Sequence, residues 1–115
     1  MPKLPAVGIV AAVSALAVAF ASQALAAWRS VTVGDDFFVR KGSPPTVSVE
    51  KNTRVTWNWT GEEKHNVAVT KGPARFHSSL KKRGSFSRTL RRTGTYTIVC
   101  TVHQPDMAMK LKVVR

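Results

Sequence analysis

The chain has 115 residues, 43% of them hydrophobic and 21% charged, with 18 Lys and Arg against 6 Asp and Glu, a net charge of +12 and a single cysteine, Cys100. This length accommodates one domain, and the apolar content is that of a globular protein, not a disordered one. A multidomain enzyme, an intramolecular disulfide framework and a bundle of membrane helices are excluded.

Residues 1–26 read as an export signal. Lys3 precedes an uncharged, Ala- and Val-rich run from Ala6 to Ala21, and Ala24-Leu25-Ala26 supplies the small-x-small pattern of a cleavage site before Ala27. The alternative is an uncleaved membrane anchor, since Leu4 to Ala27 carries no charge and is long enough to span a bilayer. Cleavage is favoured by the weak hydrophobicity of alanine and by the interruption at Ser22 and Gln23. Either way residues 27–115, which keep 17 basic and 6 acidic side chains and a charge of +11, are expected outside the cytoplasm.

From Trp28 onward the pattern has period two, as expected of antiparallel strands with one buried face. Arg29–Val33 alternates until Asp35-Asp36 breaks it, and after Ser43-Pro44-Pro45 a second strand runs from Thr46 to Glu50. Lys51-Asn52 is a turn. Arg54–Thr60 then places Val55, Trp57 and Trp59 on one face, as core or interface residues. A strand over His65–Thr70, carrying Val67 and Val69, ends at Gly72-Pro73. Ser85–Leu90 follows, then a turn at Thr93-Gly94 and a strand over Thr95–Cys100 with Tyr96, Ile98 and Cys100 on one side. The last strand, Ala108–Val114, turns Met109, Leu111 and Val113 inward and Lys110 and Lys112 outward. Seven to eight short strands without a helical period indicate an all-β, two-sheet Greek-key sandwich.

A lone cysteine outside the cytoplasm is open to oxidation and calls for a reason. Cys100 is followed by His103 and Met107, so that thiolate, imidazole and thioether lie within eight residues, and His65 stands 35 residues upstream. Two histidines and one cysteine in a trigonal plane, with a weak axial methionine, suit one copper ion in electron transfer. Thiolate and thioether favour Cu(I), imidazole accepts both oxidation states, and a rigid β scaffold limits reorganisation as the charge changes. Taken singly, Cys100 could be a buried structural thiol, and His65 an ordinary loop histidine. His77, between basic residues and outside the motif, reads as solvated.

The segments His65-Asn66-Val67 and Gly94–His103, with Met107 and the Lys110–Val114 strand, resemble the cupredoxins, the small blue copper proteins typified by plastocyanin, amicyanin and pseudoazurin. That resemblance implies His65, Cys100 and His103 as strong copper ligands and Met107 as the axial one. It implies that Asn66 braces the ligand loop with its side chain and donates its N–H to the Cys100 sulfur. It also places His103 at the solvent edge as the port for electrons, with Pro105, Ala108 and Pro73 as an apolar docking patch. Three residues, Gln104-Pro105-Asp106, separate His103 from Met107 where familiar members have two or four, and Met109 is the alternative axial ligand.

Between residues 71 and 92 lie Lys71, Arg75, Lys81, Lys82, Arg83, Arg88, Arg91 and Arg92, with no acidic residue among them. They are either a solvated face or a steering surface for an acidic redox partner or an anionic envelope surface. No nucleic-acid-binding motif is present, and a monomer is expected. Three functions are open: a single-electron carrier cycling copper between Cu(II) and Cu(I), a copper carrier or chaperone using the same residues, and a metal-free basic sandwich binding polyanions. An enzyme is not expected, because oxygen-reducing copper enzymes need further histidine-rich sites and only His77 remains.

Overall fold

A computed structural model describes residues 27–115; the segment 1–26, read above as a signal or anchor, lies outside the described residues. The strands are β1 (Trp28–Gly34), β2 (Phe37–Phe38), β3 (Thr46–Glu50), β4 (Thr53–Trp59), β5 (Ala68–Lys71), β6 (Gly84–Leu90), β7 (Gly94–Val99) and β8 (Ala108–Val114). They form two four-stranded sheets, in the orders β2-β1-β4-β6 and β3-β8-β7-β5. The expected all-β sandwich is therefore present.

Alternation decides which side chains are buried. Val55, Trp57 and Trp59 of β4 face Tyr96 and Ile98 of β7 and Met109, Leu111 and Val113 of β8 across one continuous core, while Lys110 and Lys112 point to solvent. Trp57, Phe76 and Tyr96 lie within it and the partly buried Phe86 packs against it, with ring centroids about 6 Å apart in tilted geometry.

Two expectations need correction. The strands are not all antiparallel: β1 runs parallel to β4, and β3 parallel to β8. Parallel neighbours require long connections, and here the chain supplies them by crossing to the other sheet between paired strands. Secondly, His65–Thr70 is not one strand. β5 begins at Ala68, and His65 meets Lys81 only in an isolated bridge, exchanging two backbone hydrogen bonds of 2.9 and 3.0 Å. Val67, Ala68 and Val69 are all buried, so no alternation holds there. His65 consequently sits at the rim of the sandwich, level with the end of β7 that leads into Cys100.

The two ends of the sandwich differ. One carries Trp59, His65 and the loop 100–107. The other carries the turn at Lys51-Asn52, the start of β1 at Trp28 and the β6–β7 connection, as the pairs Trp28↔Arg54, Thr53↔Leu90 and Gly94↔Val113 require.

Candidate metal centre

The loop after β7 folds back on itself. The Cys100 N–H donates to the Met107 carbonyl at 3.1 Å, the His103 N–H to the Cys100 carbonyl at 3.1 Å, and the Met107 N–H to the His103 carbonyl at 3.0 Å. These bonds fix the directions of three donor-bearing residues in one short loop. His65 is held from the other side, where its carbonyl accepts the Trp59 Nε1–H at 3.0 Å.

Three donor atoms converge: Nδ1 of His65 and Nδ1 of His103 are 3.2 Å apart, and Cys100 Sγ lies 3.9 Å from the first and 3.5 Å from the second. With metal–nitrogen bonds near 2.0 Å and metal–sulfur bonds near 2.3 Å, a trigonal plane needs separations of about 3.5 Å between nitrogens and about 3.7 Å from nitrogen to sulfur. The observed triangle fits a single ion. Cys100 and His65 are fully buried, whereas the His103 side chain is 28% exposed. His103 is thus the member of the set that reaches solvent.

A ligating Nδ1 carries no proton, so the ring proton sits on Nε2, and both rings have an acceptor there. His65 Nε2 is 3.0 Å from Asp35 Oδ1. His103 Nε2 is 3.3 Å from Asp36 Oδ1 and 3.5 Å from Glu63 Oε1. Carboxylates behind ligating imidazoles fix the tautomer and raise ligand basicity. The hydrogen bond from His65, followed by the N–H groups of Glu62 and Glu63, lowers the Asp35 pKa from 3.8 to about 2. Asp35 is therefore ionised at neutral pH.

Sequence reasoning missed these carboxylates, reading Asp35-Asp36 only as a strand break. Their signal was composition: a chain with six acidic residues places four of them in two adjacent pairs, Asp35-Asp36 and Glu62-Glu63, the second pair ending two residues before His65.

Asn66 stands where it can brace the loop. Its Oδ1 accepts the Thr101 N–H at 2.8 Å and its Nδ2 donates to Thr101 Oγ1 at 3.0 Å. The hydrogen-bond partners of Cys100 Sγ among the described residues are the two histidines; a bond from the Asn66 N–H is not among them. Met107 is fully buried and tied to Cys100 through the backbone, and Met109 is fully buried opposite Ile98 in the β7–β8 ladder. Val102, 56% exposed, and Pro105 flank His103 on the surface. Pro73 does not join them: its ring meets Gly94 at the start of β7, at the opposite end of the sandwich.

The eight basic residues do not form one face. Lys81 lies beside the site, its Nζ 5.2 Å from the Trp59 ring centroid. Arg75 is tied to the Thr70 carbonyl, and Arg88 covers Phe76 and Phe86. Arg91 and Arg92 belong to the far end, with Lys51 and Arg115. His77 is exposed, as expected.

A family model described as copper binding proteins, plastocyanin/azurin family, matches residues 40–114. No curated protein sequence matches the chain. Among solved structures, an oxidised proline-to-glycine variant of amicyanin is 26% identical, with a TM-score of 0.62 over 77% of this chain and 90% of that one. A purple cupredoxin from Nitrosopumilus maritimus, 17% identical, shares the fold at a TM-score of 0.62 over 74% of this chain and 98% of its own. A copper-containing nitrite reductase from Thermus scotoductus shares it at 20% identity and a TM-score of 0.60, over 79% of this chain but 23% of the enzyme. With the family model covering most of the chain and the donor triangle suited to one copper ion, this protein is a cupredoxin, a member of the plastocyanin/azurin family of copper-binding proteins.

Proposed function

We propose that the protein is a type 1 copper electron carrier acting outside the cytoplasm, in which His65, Cys100 and His103 would hold the ion as strong donors and Met107 would be a weak fourth donor. The observation that carries this reading is the triangle of Nδ1, Nδ1 and Sγ with sides of 3.2, 3.5 and 3.9 Å. Copper bound there would supply the one-electron Cu(II)/Cu(I) chemistry.

The chain's own residues do the rest. Backbone hydrogen bonds of the 100–107 loop and the Asn66–Thr101 bonds hold the donors still, so little rearrangement accompanies a change of charge. Asp35 and Asp36 keep the ring protons on Nε2. His103 offers an edge to solvent between Val102 and Pro105, where a redox partner can approach. Met107 is preferred over Met109 as the axial donor because its backbone is bonded to Cys100 and His103, whereas Met109 occupies a core position in the β8 alternation.

The described residues hold one cluster with the ligand set of a type 1 site, His65, Cys100 and His103. The copper-carrier alternative is weakened by burial, since two of the three strong donors are sealed from solvent. Retention against a chelator, together with electron self-exchange measured by NMR line broadening, separates the two. A carrier of electrons keeps its copper for hours and exchanges electrons rapidly; release within seconds with slow exchange would contradict this reading.

A further inference from the structure

Acidic side chains are segregated along the sandwich, while Lys64, Lys81, Lys82 and Arg83 also stand at the metal end. Five of the six acidic residues, Asp35, Asp36, Glu62, Glu63 and Asp106, stand in the turns and loops of the metal end. The opposite end holds a concavity whose lining includes Lys51, Arg91, Arg92 and Arg115 and no acidic side chain. Arg54 is next to it, and Glu50 is the one acidic residue on that side.

The same end receives the start of the described chain. The Ala27 carbonyl accepts the Arg54 N–H at 3.0 Å, which fixes where residues 1–26 must join. Trp28 follows at once. It is 71% exposed, the most exposed large apolar side chain of the described residues, and the Arg54 guanidinium carbon lies 5.7 Å from its ring centroid. A solvent-facing tryptophan costs apolar surface in water but suits the boundary between headgroups and acyl chains, where its ring is apolar and its N–H polar. Lysines and arginines around it suit anionic headgroups. In sequence, the uncharged run from Leu4 to Ala27 immediately precedes Trp28.

From these placements we infer that the end of the sandwich opposite the metal centre docks on an anionic lipid surface, with Trp28 at the interface and Lys51, Arg91, Arg92 and Arg115 on the headgroups. Docking in this orientation turns His103 and its acidic surroundings away from the lipid and towards soluble partners. The inference does not depend on the role of the metal.

The test uses the full chain with vesicles of phosphatidylcholine alone or mixed with phosphatidylglycerol, each containing a brominated quencher lipid. Trp28 quenching is obtained as the difference between the parent and Trp28→Phe. Quenching should be several-fold greater with phosphatidylglycerol and should fall at high salt. The double variant Lys51→Glu/Arg91→Glu, both positions exposed, should weaken the phosphatidylglycerol-dependent response at least about tenfold, with unchanged circular dichroism and thermal midpoint. Equal quenching in both lipids would mean that the leader alone holds the protein and would overturn the inference. A response to a soluble polyanion without any lipid difference, or self-association through this end, would overturn it as well.

Discussion

Asp35 draws its low pKa from the bond with His65 and from the N–H groups of Glu62 and Glu63, and in return it orients a buried imidazole. Replacing it with Ala removes the only carboxylate on that ring among the described residues, and copper affinity is expected to fall about 10–100-fold in competition titrations. Asp36 and Glu63 stand behind His103, so their negative charge favours the more positive oxidation state. Asp36→Asn combined with Glu63→Gln should raise the reduction potential by tens of millivolts, from Coulomb energies of about 1–2 kcal/mol at this range; voltammetry reads the shift, and a fall in potential would contradict the account. Tyr96 lies elsewhere in the core. Its hydroxyl donates to the Arg92 carbonyl at 2.8 Å, and burial raises its pKa above 10.0. The folded state therefore keeps a proton that the unfolded chain releases, so stability is full below about pH 10 and declines as pH rises beyond it. Tyr96→Phe should flatten that alkaline decline in urea unfolding. The ligands were legible at this scale because Cys, His and Met in one short run are rare together; the carboxylates were not, because acidic pairs at turns are common.

At the scale of elements, the site depends on how the lead-in to β5 meets the loop after β7. The Asn66–Thr101 bonds join the two, and Asn66→Ala should lower stability by about 1 kcal/mol in urea titration. Gly61 matters for a different reason: a Cβ there would collide with the Asp35 carboxylate and lie 2.9 Å from the Asp35 backbone nitrogen. Gly61→Ala must push the carboxylate off His65 and should reproduce the lowered copper affinity of Asp35→Ala without touching a charge. The β8 register assigns the methionines. Met109→Leu should cost under about 1.5 kcal/mol as a volume-conserving core change and leave the copper spectrum unaltered, whereas Met107→Leu should shift both spectrum and potential. The reverse pattern would make Met109 the axial donor. Strand alternation made β3, β4 and β8 readable in the sequence. It failed at His65, where an isolated bridge replaces a ladder, and at β2, whose two residues are too short to show a period.

At the scale of the whole molecule, a charge of +11 on residues 27–115 suggested a basic face. Sequence order could not reveal the arrangement, because β1, the β3–β4 turn and the β6–β7 connection come together only through the sheet pairings. Those pairings put Lys51, Arg91 and Arg92 far from His103 and gather the acids around it. All of this rests on one ion held by His65, Cys100 and His103, and titration with Cu(II) followed by visible absorption tests that claim most directly. The account predicts an intense thiolate-to-copper band that saturates at one equivalent and is abolished by Cys100→Ser. Binding of copper with no such band, or a band that survives in the Ser variant, would contradict it.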